Sequence, residues 1–396
     1  MGVILLLILI YLLLWLASRK RRERSKEETQ TENKNSNLLE IVAQLQKDIQ
    51  RSIRKKLKES MIRESKRRAE KFLLSPRTFQ EYVGNEEAKA MLKIMMESAK
   101  KEGRVLENIL LYGNPGLGKK TLAKVLANEI GAELIETTGG TVSSQRRLLQ
   151  LMWEIWDTQQ EGKPVILFVE NIHRLSCGEI TEEMWYPIFE NYCIYHDLKG
   201  KKFLIGGLEC IITEDFFQCD PFTIIGATTD PGRLTSSLRE KFKVSITLHE
   251  YSPEELKEIL RGYVSRLDFK VSEEALVEIA KRGRGNPHQT IAIFEMCKKT
   301  AIADEKEVLD RGLTLRVLRD ILKLDETGLS TDEIKVLKYL ARMGEKGAGI
   351  RTLASELNIN IKTLEEVIFP FLLQRGFVET TNKRRITEKG LRYLQR

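Results

Sequence analysis

The stretch NILLYGNPGLGKKTLAKVLANEIG, residues 108–131, leaves this chain little freedom in what it can become. A short apolar run, Ile109 to Tyr112, enters a glycine-rich turn, and apolar residues at helical spacing follow. Gly113, Gly118 and Lys119 match the spacing G-x4-G-K. Glycines let successive backbone N–H groups converge on phosphate oxygens, and the following helix points its positive end at the same place. A glycine-rich loop alone is a weak signal; set between a strand and a helix it marks a nucleotide site. Gly113, Asn114, Pro115, Gly116, Leu117, Gly118 and Lys119, with Lys120 and Thr121 behind them, are the expected contacts to ATP or ADP.

A second stretch, ILFVENIHR from Ile166 to Arg174, reads as a buried strand that ends in a polar cluster. Glu170 at such a strand tip is the candidate metal ligand, and the amide of Asn171 follows it. From Ser75 onward strands alternate with helices, which predicts an α/β architecture with a parallel sheet.

The termini differ from this middle. The net charge of +8 is unevenly spread: residues 18–77 hold 19 Lys/Arg against 9 Asp/Glu, whereas residues 78–329 hold 33 against 40. An acidic body argues against a general nucleic-acid surface. The opening MGVILLLILIYLLLWLA carries no charge and is followed at once by SRKRRER. No positive charge precedes the apolar run and no small-residue cleavage site follows it, so an uncleaved anchor is favoured over a signal peptide or a buried helix. The basic cluster predicts a single pass with the N-terminus outside and the bulk in the cytoplasm. Beyond a polar linker, Leu38, Val42, Leu45, Ile49, Ile53 and Leu57 recur at helical spacing. That stalk is either solvated, a short coiled coil, or a basic face on anionic lipid. The five cysteines form no C-x-x-C pair and read as reduced core residues.

The order and spacing of SPRTFQEYVGNEEAKAMLKI, the phosphate loop, ILFVENIHRLS, PFTIIGATTDPGRLTSSLREKF and ARMGEKGAGIRTLASELNINIKTLEEVIFPFLLQRGF resemble the RuvB Holliday-junction branch-migration motors, which are AAA+ proteins. The resemblance spans residues 75–396. It implies an α/β nucleotide domain (75–250), a helical lid (251–325) and a winged helix (326–396), behind the transmembrane helix (1–18) and the basic stalk (19–74). It also implies an oligomeric ring around duplex DNA and a junction-binding partner, RuvA. Tyr82, Val83, Tyr251 and Pro287 join the nucleotide set on the same ground, although Tyr251 suits a core position nearly as well. Thr228 or Thr229 matches the sensor of the γ-phosphate, and Arg239 lies in the segment that delivers an arginine finger.

Several chemical positions depart from the family pattern. Lys120 stands where a hydroxyl ligates Mg2+, which counts against a well-held metal. Asn171 replaces the glutamate that polarises the attacking water; an amide holds a water but does not take its proton. Lys241 stands at the finger position and is a point charge where a planar fork belongs. His288 replaces an arginine of the lid, with Arg282 and Arg284 as nearby candidates to compensate. Together they predict nucleotide binding with weak or no hydrolysis. The altered hairpin over 195–219 counts against a RuvA-type partner.

At the C-terminal end, residues 330–393 are expected to form three helices and a β-wing, with Lys383, Arg384 and Arg385 at the wing tip facing DNA phosphates or a protein. Three readings stay open: a tethered DNA-engaging module, a nucleotide-responsive scaffold, and an active translocase. A ring mixed with a competent relative reconciles the first two.

Overall fold

The computed structural model of the chain describes residues 74–395, with Cys177, Gly206, Gly207 and Thr381 left out. The expected transmembrane helix and the stalk up to residue 73 lie outside the described residues. Among those described, no helix is long and apolar enough to cross a membrane.

Five parallel strands form the central sheet. They are β1 (Ile109–Tyr112), β2 (Glu133–Thr138), β3 (Val165–Glu170), β8 (Thr223–Thr228) and β9 (Val244–Thr247), in the order β2-β3-β8-β1-β9. Alternate side chains of β3 serve opposite faces, as the two-residue period of a strand requires. Ile166 and Phe168 join Leu92 of helix α1 (Glu86–Glu102) and Leu122 and Leu126 of helix α2 (Lys119–Ile130), while Leu167 and Val169 join Leu148, Met152 and Ile155 of helix α3 (Gln145–Gln160). With both faces covered, β3 is apolar throughout until Glu170 emerges at its exposed end.

Between β3 and β8 the chain forms two nested ribbons. β4 (Cys193–Tyr195) pairs with β7 (Phe216–Gln218), and β5 (Lys202–Ile205) pairs with β6 (Leu208–Ile211), all antiparallel. This is the lengthened hairpin expected over 195–219, and Tyr195 and Phe216 sit exposed as a cross-strand pair. Cys193, Cys219 and Cys297 are free and buried, as core residues.

The lid packs on the sheet domain through a continuous core that includes Leu256, Leu260, Leu276, Ile279, Phe294 and Cys297. Its main helices are Pro253–Val264, Glu273–Arg282 and Pro287–Ala303, each entered through a side-chain cap: Ser252, Ser272 and Asn286. Two short strands, β10 (Lys270–Val271) and β11 (Val308–Leu309), pair beside them.

The winged helix has its own core, built on Val336, Leu340, Leu353, Leu364, Phe369 and Leu372. Its helices are Thr331–Met343, Ile350–Leu357 and a third over 361–374 with a π turn at Leu364–Ile368. The wing pairs β12 (Val378–Thr380) with β13 (Arg384–Ile386). Arg384 and Arg385 therefore belong to a strand and are half-buried, which corrects their expected place at the tip; only Lys383 of the three lies in the turn. The Arg384 guanidinium lies over the Phe369 ring at 5.3 Å, and its backbone bridges to Ala348.

Candidate functional site

Register explains why the separated motifs meet. Tyr112 pairs with Thr228, and Glu170 pairs with Ala227, so the ends of β1, β3 and β8 lie side by side. Ligands of open α/β sheets bind at such carboxyl ends, where the strand order reverses. Gly113 leaves β1 with φ of 145°, followed by Gly116 at 84° and Gly118 at 92°. A Cβ on Gly113 would stand 2.6 Å from the Leu248 carbonyl oxygen, so no larger residue fits the turn.

Lys119 Nζ donates to the carbonyls of Gly113 at 2.7 Å and Asn114 at 3.0 Å. Burial pulls its ammonium below the usual lysine range, and the charge of Glu170 opposes that pull. Both groups therefore share the mouth of the site. Lys120, one residue on and half-exposed, pairs with Glu136 on β2. Glu136 also takes Lys124 at 3.2 Å, so one carboxylate serves two lysines. Burial raises the carboxyl of Glu136, but its bonds to Lys120 and the charge of Lys124 outweigh this and leave it below its ordinary value.

Mg2+ does not fit this donor set. The position after Lys119 offers no hydroxyl, and the ammonium it carries is held on Glu136. Glu170 is the carboxylate at the tip of β3.

Asn171 has left-handed backbone, φ 52° and ψ 48°, where it caps the short turn Ile172–Arg174. Asparagine tolerates this conformation better than glutamate does, because its short side chain hydrogen-bonds locally. The amide residue thus suits the local turn. Thr228 is 1% exposed, and its hydroxyl accepts from the backbone N–H of Asp230 at 3.0 Å and shares a 2.8 Å hydrogen bond with His173 Nδ1. Burial, then the charge of Arg233, holds the His173 imidazole below its ordinary value. Of the two sensor candidates, Thr229 is the exposed one.

The lid touches the loop through Asn286, whose Nδ2 donates to the Pro115 carbonyl at 2.8 Å. His288 lies two residues on, exposed in the first turn of the helix that begins at Pro287. Neither candidate to compensate for it is available. Arg282 is buried and spent on Glu278 at 2.7 Å and on the Asp325 carbonyl at 2.8 Å. Arg284 forms a bidentate pair with Glu333 of the winged helix, at 2.9 and 2.7 Å.

Behind the loop, Tyr82 and Tyr251 are both buried, and their hydroxyls meet at 3.0 Å. Tyr251 also donates to the Leu117 carbonyl at 3.2 Å, so it braces the phosphate loop from the core side. Val83 next to Tyr82, and Thr121 in α2, are half-buried. In the finger segment, Arg239 donates to the Pro231 carbonyl at 2.9 Å and is exposed. Lys241 is bound within its own subunit, by Glu190 and by the Tyr186 ring at 4.8 Å.

Glu136 and Asn286 escape the sequence reading, which holds His173 only as part of the polar cluster that ends β3. Of those two, only Asn286 leaves a trace there, as a cap residue directly before a proline. Glu136 pairs with Lys120 and Lys124 of α2 and His173 with Thr228 of β8, and no spacing announces these pairings.

The third winged-helix helix exposes Lys362, Glu365, Glu366, Val367, Pro370 and Leu373. Two carboxylates and an apolar strip are poorly suited to reading base edges beside phosphates.

A phosphate loop at the switch point of a parallel sheet, a helical lid reaching that loop and a winged helix behind it define an AAA+ nucleotide-binding protein. Residues 74–248 match the Holliday junction DNA helicase RuvB P-loop domain, and residues 326–395 match the RuvB C-terminal winged helix domain. The Holliday junction branch migration complex subunit RuvB of Thermotoga maritima is 33% identical over 324 residues, which is 81% of this chain and 92% of that protein. Its counterpart in a Nitratiruptor species is 34% identical over 314 residues, 79% of this chain and 88% of that protein. The solved Thermotoga maritima RuvB Holliday junction branch migration motor superposes with a TM-score of 0.61 at 31% identity, covering 82% of this chain and 98% of that one. The chain belongs to the RuvB family.

Proposed function

We propose that this protein is a RuvB-family ring subunit that binds ATP or ADP, hydrolyses it very poorly, and is held at a membrane by residues 1–18. The observation that carries this reading is a contrast at one strand tip. The phosphate cradle is built and its lysine is in place, while Asn171 occupies the base position in a backbone conformation that favours an amide. Loss of a general base costs about 10²–10⁴-fold. Lys120 and Lys241, each tied to a carboxylate of the same chain, point the same way. Such losses do not add, because they act on one transition state.

In this reading the subunit contributes contacts to a ring, homomeric or mixed with a competent relative, and responds to nucleotide occupancy without acting as a motor. Its relatives carry the name of a junction branch-migration complex, and the winged helix brings DNA as the expected second ligand, through backbone contacts. The altered ribbon at Tyr195 and Phe216 supports a partner other than a RuvA type.

Identification of the nucleotide released on denaturing the purified chain, alongside phosphate release from Mg-ATP, tests the central claim. ATP or ADP is expected to co-purify, with turnover at least roughly 10²-fold below an active AAA+ motor. Ordinary motor turnover would sink it. Fractionation of cells tests the tether: the full chain is expected with the membranes, and deletion of residues 1–18 is expected to release it. A deletion that stays in the pellet through washes in high salt assigns the attachment elsewhere.

A further inference from the structure

The mismatch between this site and Mg2+ has a positive counterpart. We propose that the site binds a nucleoside di- or triphosphate without a divalent cation, the Lys120 ammonium serving as the second fixed positive charge. The proposal rests on the reading that the cradle binds nucleotide, and goes beyond it in saying what neutralises the phosphates.

Polyphosphate bound at a helix N-terminus needs positive charge beyond what backbone N–H groups supply. In this chain two ammonium groups stand on consecutive residues at the first turn of α2, Lys119 and Lys120. Each has a partner that a phosphate oxygen can displace. Lys119 is held by the carbonyl oxygens of Gly113 and Asn114, which lie on the loop that phosphate would occupy. Lys120 is held by Glu136, whose single charge is divided between Lys120 and Lys124. One positive charge of the three-residue group is therefore left over before any ligand arrives. Glu136 lies on the edge strand β2, so the lysine is kept beside the site and not buried against it. The ammonium is covalently part of the protein, so its presence does not depend on ion concentration. A metal entering the same place would meet this charge with no hydroxyl to bind.

The test is an equilibrium titration of the full-length purified chain with the fluorescent analogue mant-ADP, in excess Mg2+ and in excess EDTA. The two affinities are expected to agree within about twofold. Lys120→Thr, which restores the hydroxyl and removes the charge, is expected to make EDTA weaken binding about tenfold or more, equivalent to roughly 1.4 kcal/mol. Glu136→Gln is the control for folding and for direction: it frees Lys120, so affinity in EDTA is expected to hold or to rise. Wild-type binding that EDTA weakens about tenfold overturns the proposal and leaves the nucleotide-binding reading standing. Lys120→Thr binding that remains indifferent to EDTA overturns the role given to Lys120. Absence of mant-ADP binding in both conditions overturns the nucleotide reading and this proposal with it.

Discussion

At the scale of single residues, Lys120 and Asn171 show how a site changes character without losing its frame. Lys120 keeps the phosphate cradle intact because it lies on the first turn of α2, outside the glycine turn, and a neighbouring strand holds its head. Asn171 relaxes a left-handed turn that glutamate would strain by roughly 1–2 kcal/mol. The double change Lys120→Thr with Asn171→Glu restores both a ligand hydroxyl and a base. It is expected to raise ATP turnover by roughly 10²-fold, while Asn171→Glu alone gives a smaller gain because the metal place stays closed. Steady-state phosphate release from the purified variants checks this. No gain in the double variant would place the block at Lys241 or His288. The amide at position 171 was legible from sequence; its backbone angle was not, since the angle arises from the turn into Ile172.

At the scale of elements, the join between lid and winged helix is the most tightly determined feature outside the site. Glu333 is 1% exposed and serves twice, as a capping-box residue with Ser330 and as the partner of Arg284. Arg284 also lies over the Phe371 ring at 4.1 Å and donates to the Gly328 carbonyl. Asp325 adds bonds to Thr327 and Leu329 and accepts from Tyr393. Removing one partner of a buried ion pair costs about 3–5 kcal/mol, because the other charge is left unpaired. Arg284→Ala is accordingly expected to destabilise the chain by that amount in urea unfolding, and a change near zero would mean water reaches Glu333. Sequence reading set Arg284 beside the nucleotide on proximity in the chain alone. Its left-handed backbone, φ 56°, turns it toward the winged helix.

For the whole molecule, charge distribution sets what the ring can touch. The sheet domain and lid are acidic in sum, and the basic surplus lies at the two ends of the chain. On the proposed reading DNA contact falls to the winged helix, and within it to the wing, since the third helix shows Glu365 and Glu366 to solvent. Binding to duplex is expected to weaken as salt rises, with a slope near −0.9 per phosphate contacted. Lys383→Ala is expected to lower that slope by about 1 and to act evenly across sequences. Fluorescence anisotropy across a salt series measures both. A salt-independent affinity would turn the winged helix into a protein-docking module.

What the sequence determined by itself was local in the chain: the phosphate loop between strand and helix, the apolar run of β3, the helices and wing of the C-terminal end, and the residue types at the altered chemical positions. These depend on neighbours within a few residues, where periodicity, glycine freedom and capping act. Only the tertiary structure decided which charges remain for a ligand. Lys120 meets Glu136, Lys241 meets Glu190, Thr228 meets His173 and Arg284 meets Glu333 across separations that sequence pattern does not encode. An ion pair is set by where the sheet and the domain join place two side chains, and that depends on how the whole chain packs.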